Sequence, residues 1–334
     1  MQNKGYLKLN KMYKNSLEAG ILKLNSKVSL APMAGVTDAA FRQIVRELSP
    51  DCLLTTEMLS SEAVLWNKEQ SILHCEDFEH PVAYQLSGHK PDIMAKAAKK
   101  ILSRADMIDI NMGCPVNKIV KNQDGSALMK NPQLAFDIVR AVKDVIDVPL
   151  SVKFRLGWDN NSKNYVEFGK LMQDAGADMI TLHARTRSQM YSGKADWAAI
   201  KELTDEVSIP VFANGDINST QDAIECQKLS NCSGVAIGRG IIGDPGLIAR
   251  IEHYFKTGEI LSEPSLNERI DILIKHFERE IFYRSEPHAV RFMRKFHSHY
   301  IRNIRGAAAY RDRLVKIPTF DEILKVYEEI RQNA

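Results

Sequence analysis

The sequence predicts an α/β fold, a (β/α)8 TIM barrel followed by a small all-α domain. Three observations predict it. Eight short apolar or β-branched runs alternate with longer amphipathic stretches. They spread over about 225 residues, close to the ~250 that such a barrel uses. Polar or special residues gather just after nearly every run. Beyond about residue 256 the strand-like runs stop, while helical spacing continues.

The eight runs are Val28–Ala31, Leu53–Thr56, Val82–Leu86, Met107–Ile110, Leu150–Phe154, Met179–Leu182, Val211–Ala213 and Val235–Ile237. Between them Asp38–Leu48, Pro91–Leu102, Pro132–Ile146, Tyr165–Ala175 and Ser219–Leu229 have the period of helices packed by one face. Such alternation builds βαβ units around a parallel sheet. An open doubly wound sheet competes, but no GxGxxG follows the first run, as a dinucleotide-binding half requires. In the tail, Leu266–Tyr283, Pro287–Ile304 and Phe320–Ile330 read as helices. The expected organisation is an extension over residues 1–21, a barrel over 22–258 and a helical domain over 262–334.

The composition excludes several classes. With 44% hydrophobic and 26% charged residues in 334, the chain can bury a core without staples. The five cysteines are Cys52, Cys75, Cys114, Cys226 and Cys232. They are odd in number, widely spaced and free of CxxC, which argues against a disulfide framework or a zinc site. No apolar run suits a membrane span, and no apolar stretch follows Lys4, Lys8, Lys11 and Lys14, so a cytoplasmic protein is expected. The formal net charge is only +3, but it is unevenly placed. Arg284 to Lys316 holds nine Lys/Arg against Glu286 and Asp312, a net of +7, so the remainder nets −4. A basic stripe of that kind suits a polyanion; its plain alternative is a solvated helix face.

The residues after the runs carry the chemistry. In a barrel they meet at one mouth, where such enzymes place their sites. Asn214-Gly215-Asp216 ends the seventh run and Gly238-Arg239-Gly240 the eighth. Loops there bind phosphate through backbone N–H groups, glycine allowing close approach and Arg239 adding charge. Gln85 and Lys153 are polar groups within apolar runs, costly to bury without a partner. Lys153 could form a Schiff base, neutralise an anionic cofactor ring or pair structurally. Cys114 opens a loop directly after a strand. It could be a nucleophile, or pack as a small hydrophobe. An ordinary thiol, with a pKa of about 8.5, is mostly protonated at pH 7, so it could also act as a general acid.

The segments Ala31-Pro32-Met33-Ala34-Gly35-Val36-Thr37-Asp38 and Asp109-Ile110-Asn111-Met112-Gly113-Cys114-Pro115, the latter followed by Lys118 and Gly125-Ser126-Ala127-Leu128-Met129, resemble the tRNA-dihydrouridine synthases of bacterial type. Lys153-Phe154-Arg155-Leu156-Gly157, His183-Ala184-Arg185-Thr186-Arg187, Asn214-Gly215-Asp216 and Gly238-Arg239-Gly240 continue the series in order, from about residue 22 to 255. Ala184 stands where glycine is common.

The resemblance implies FMN-dependent reduction of uridines in tRNA, with NADPH, or NADH, as reductant and no obligatory protein partner. It implies Cys114 as the acid and Lys153 beside the flavin N1/O2 edge. Gln85 would bond the ring edge, and Pro32, Met33 and Ala34 would line it. Asn214, Gly215, Asp216, Gly238 and Arg239 would hold the phosphate, with His183 between ring and phosphate. Asn111 and Arg185 would face the uracil, and Arg291, Arg294 and Lys295 would grip RNA phosphates. No metal is implied. Two alternatives are a flavin barrel of the dihydroorotate- or dihydropyrimidine-dehydrogenase kind acting on a free pyrimidine, and an RNA-binding barrel without redox chemistry.

Overall fold

The computed structural model describes residues 17–66 and 70–333. Two short antiparallel strands come first, β1 (Leu17–Ala19) and β2 (Leu22–Leu24). Then follow β3 (Val28–Leu30), β4 (Leu54–Thr55), β5 (Leu59–Ser60), β6 (Val82–Ser87), β7 (Met107–Met112), β8 (Leu150–Arg155), β9 (Met179–His183), β10 (Val211–Asn214) and β11 (Gly234–Ile237). The main sheet runs β3-β11-β10-β9-β8-β7-β6-β4, with β5 extending the pairing of β6. Its neighbours pair in parallel. The ring closes where Ser29 bridges Leu53 and the Leu30 N–H donates to the Leu53 carbonyl at 2.9 Å. All eight expected runs are therefore strands of one barrel.

Burial on both faces explains why those runs are apolar almost throughout. In β7, Ile108 and Ile110 join the core beneath the outer helices, whereas Met107 turns inward. The barrel's lower interior is apolar, filled by Leu53, Ala83, Met107, Met179 and Phe212. The β1–β2 hairpin stoppers it with Ala19 and Leu24, both fully buried. This shifts the expected boundary at residue 22, which would cut the hairpin in two. Residues 1–16 of the expected extension lie outside the described residues.

The helices begin where their caps place them. Asp38 accepts from the Phe41 N–H at 3.1 Å and starts Ala39–Leu48. Asn131 and Ser219 cap Pro132–Lys143 and Thr220–Ser230 in the same way.

The tail departs from the sequence reading in one place. Leu266–Arg284 and Phe320–Asn333 are helices, but the helix expected over Pro287–Ile304 breaks into Glu286–Met293 and His297–Tyr300. The turn between them drives Phe296 inward, 6.4 Å from Phe41 and 4.8 Å from His276. Burying that ring outweighs continuing the helix. Ala307–Leu314 follows, entered through Gly306 at φ +74°.

The tail has its own core, around Phe277, Val290, Met293, Tyr300 and Tyr327, and a broad seat on the barrel. Phe41, on the first barrel helix, is fully buried against His276 at 5.2 Å. Arg284 pairs with Asp38 at 2.6 Å, and Arg279 bonds Gln43 and Glu47. Gly243 permits the closest approach, since a Cβ there would lie 2.4 Å from the His299 backbone.

Candidate active site

The upper half of the barrel interior is polar, and a cavity of about 420 Å³ opens above it at the C-terminal ends of the strands. Cys114 and Asn111 line it. So do Pro32, Met33, Ala34, Gln85, Lys153, His183, Asn214, Gly215, Asp216, Gly238 and Arg239. Their strands bring them there by register, with Asn111 beside Lys153 and His183 beside Asn214.

The cavity is cationic. Lys153, Arg155 and Arg239 line it, against Asp216 as the one carboxylate among the described lining residues. Lys153 Nζ donates to Asn214 Oδ1 at 3.1 Å. Removal from water, together with Arg155, lowers its pKa to about 8. Burial first, and then the charges of Lys153, Arg155, Arg185 and Arg239, hold His183 well below its ordinary value. It is therefore neutral at pH 7, and its buried Nε2 has no hydrogen-bond partner among the described residues. Asp216 goes the other way. Burial opposes its charge, but bonds from Arg185 and the Ala195 N–H, with the Arg185 and Arg239 charges, lower its pKa.

The Cys114 loop is held from within. Asn111 Oδ1 accepts from the Gly113 and Cys114 N–H groups at 3.2 and 3.0 Å. Ser126 N–H and Oγ donate to the Cys114 carbonyl. Gly125, at φ +60°, packs so closely that a Cβ would lie 2.9 Å from that carbonyl oxygen. The Cys114 side chain is half-buried and electrostatically coupled to both Lys153 and Arg155.

Arg185 is not where the sequence reading put it. It is 1% exposed and absent from the cavity lining. Its Nη2 donates to both Asp216 oxygens and the Gly193 carbonyl, its Nε to the Ser192 carbonyl. The chain has left β9 by that point, and the Asp216 carboxylate captures the guanidinium behind the wall. Arg185 thus bonds the Asp216 and Ser192–Gly193 loops, while its buried Nη1 has no hydrogen-bond partner among the described residues.

Arg155 and Tyr191 are among the lining residues not singled out from sequence. Arg155 lies two positions beyond Lys153 on β8, and the period-2 rule could have found it. It donates to the carbonyls of Gly113, Thr186 and Met190. Tyr191, about half exposed, has Arg239 over its ring at 4.5 Å and Arg155 at 5.6 Å. It sits in an irregular loop that carries no periodic signal.

The basic residues of the tail divide in two. Lys295 Nζ donates to the Gly35 carbonyl at 2.5 Å, so it ties the tail to the Pro32–Gly35 loop. Arg291, Arg294, Arg302 and Arg305 are exposed, and their guanidinium groups have no hydrogen-bond or ion-pair partner among the described residues.

A parallel (β/α)8 barrel with a cationic cavity at this mouth defines the class, a barrel enzyme built to hold an anionic group. Residues 29–334 match the family model described as Dihydrouridine synthase (Dus). The chain is 41% identical to "Probable tRNA-dihydrouridine synthase 1" of Synechocystis, covering 92% of this chain and 86% of that protein. It is 37% identical to "tRNA-dihydrouridine synthase B" of Pseudomonas aeruginosa, covering 90% and 92%. The protein belongs to the dihydrouridine synthase family. Its fold also resembles the old yellow enzyme homologue of Zymomonas mobilis, with a TM-score of 0.53 at 13% identity over 77% of this chain and 96% of that one.

Proposed function

We propose that this protein reduces selected uridines of tRNA to 5,6-dihydrouridine in the cytoplasm, with FMN in the cavity and NADPH, or NADH, as reductant. The observation that carries the proposal is the convergence of Cys114, Asn111, Lys153 and His183 on one cavity.

The residues fit FMN. A flavin phosphate is anionic, and the cavity sets three cations against one carboxylate. A Cβ on Gly238 would sit 3.8–3.9 Å from Met33, Ala31 and Asn214, in space the chain leaves open. His183 Nε2 lacks a partner that a polar ligand would supply. Gly215, Gly238 and Arg239 would hold the phosphate, and Lys153 and Gln85 the ring edge; Pro32, Met33 and Ala34 would line the ring. When bound, the flavin supplies the hydride that uracil C6 must receive.

The protein supplies the rest. Saturating C5=C6 also needs a proton at C5, and Cys114 is the acid placed to give it. Lys153 and Arg155 then stand beside the thiolate. Asn111 and Arg155 would face the base, and Tyr191 offers an aromatic surface at the mouth. A uridine must leave its stack to reach this depth. Arg291, Arg294, Arg302 and Arg305 would grip the RNA backbone.

Two measurements test the proposal. FMN titration should yield a yellow complex, and Arg239→Ala should weaken its retention by removing a phosphate-pairing charge. Mapping dihydrouridine in tRNA from a strain lacking this protein should show lost sites. Protein that refuses FMN, or that reduces free uracil as readily as tRNA, would overturn it.

A further inference from the structure

One buried carboxylate has no part in the function proposed above. Asp109 lies inside the barrel, 4% exposed, beside Gln85 on β6 and Ser151 on β8. Ser151 Oγ donates to its Oδ1 at 2.5 Å, and Gln85 Nε2 to its Oδ2 at 2.6 Å. At the far end of the same amide, Gln85 Oε1 accepts from Asn111 Nδ2 at 2.8 Å. Asn111 Oδ1 in turn accepts from the Cys114 N–H at 3.0 Å.

Every bond in this chain runs one way. A backbone N–H only donates, and a carboxylate only accepts. Two amides between such ends have one arrangement that satisfies both. Turning either round would set donor against donor, or acceptor against acceptor, in a dry interior. We propose that Asp109 is a positioning residue. Its carboxylate orients the Gln85 and Asn111 amides, and through them the seat of Cys114 and the polar edge the cavity offers a flavin and a pyrimidine. The inference rests on the flavin reading above. Burial raises the Asp109 pKa, while bonds from Ser151 and Gln85 and the Lys153 ammonium oppose that rise and favour the carboxylate. Among the described residues, Lys153 is the one other titratable side chain around the small chamber beneath the cavity, which Ser29, Thr55, Met179 and Thr181 help to close.

A double-mutant cycle on the full chain, read by FMN titration, tests this. Q85E sets two carboxylates against each other, so one must take a proton. Its FMN affinity is expected to fall about tenfold or more, and further as the pH rises from 6 to 8. Q85E/D109N restores one carboxylate and one amide, with the N–H now on position 109 and donated to the position-85 carboxylate. It should recover about tenfold over Q85E and lose the added pH dependence. Both variants lack the Gln85 amide, so their difference isolates the pair. A double variant no better than Q85E overturns the proposal. Parent protein that does not bind FMN overturns the flavin reading instead. Should Q85E fail to fold by circular dichroism, D109N and D109L decide. Asn keeps an acceptor for Gln85 and Leu does not, so D109N near the parent and D109L about tenfold weaker is expected. Equal affinities overturn the proposal.

Discussion

Acid should loosen the helical tail through a buried histidine. His297 is 1% exposed in the tail core. Its Nδ1 shares a hydrogen bond with Tyr327 Oη at 3.1 Å, while its Nε2 is buried without a partner among the described residues. An imidazolium needs acceptors at both nitrogens, and among the described residues no acceptor reaches Nε2, which is shielded from solvent. Burial first, and the Arg294 charge second, lower its pKa to about 4. The unfolded chain titrates near 6.5, so between these values it binds more protons than the fold. Stability from this group is therefore complete above about pH 6.5 and is lost as the pH falls toward 4. Between pH 7.5 and 5.0 the loss is about 2 kcal/mol. His276 carries the same depression, also to about 4. Its contribution is partly offset, because burial raises Asp38 and Glu280 beside it, and they take up protons in the folded state. His297 is the cleaner probe. Urea unfolding at the two pH values, for the parent and His297→Gln, measures the effect. Gln keeps a partner for Tyr327 and does not titrate. The parent should lose about 2 kcal/mol more than the variant. Equal losses would show that His297 is protonated within the fold, and the argument from its orphaned nitrogen would fail.

Three other outcomes are expected. Cys114→Ala should still oxidise NADPH, yet reduce tRNA uridine about 10²–10⁴-fold more slowly, as measured by single-turnover flavin reoxidation; parental reoxidation would make Cys114 a lining residue. Reversing charge at Arg291, Arg294, Arg302 and Arg305 should weaken tRNA binding and flatten its salt dependence by up to about 0.7–0.9 in log–log slope per lost phosphate contact, while FMN titration stays unchanged. Removing residues 262–334 should abolish tight tRNA binding and also weaken FMN retention. It uncovers the tail-facing side of Phe41, a loss of up to about 1.5–3 kcal/mol of burial, and frees the Gly35 loop from Lys295. A truncated barrel with parental FMN affinity would show that the tail seat is passive.

The sequence by itself determined the barrel, because each strand is an apolar run buried on both faces and each intervening helix has one apolar face. It also determined which residues gather at the mouth. Strand ends in a parallel barrel share one rim whatever the distance between them in the chain, so Cys114, Lys153, His183 and Gly238 reach one cavity. Only the tertiary structure decided what depends on a partner remote in sequence. The Arg185 guanidinium met Asp216, 31 residues on. The tail helix broke where Phe296 packs near Phe41 of the barrel, and Lys295 met the Gly35 carbonyl. The hairpin at Leu17–Leu24 exists to seal an apolar floor assembled from distant strands. Local periodicity reports which face of an element is buried. It carries no record of which distant group that face, or a long charged side chain, will meet.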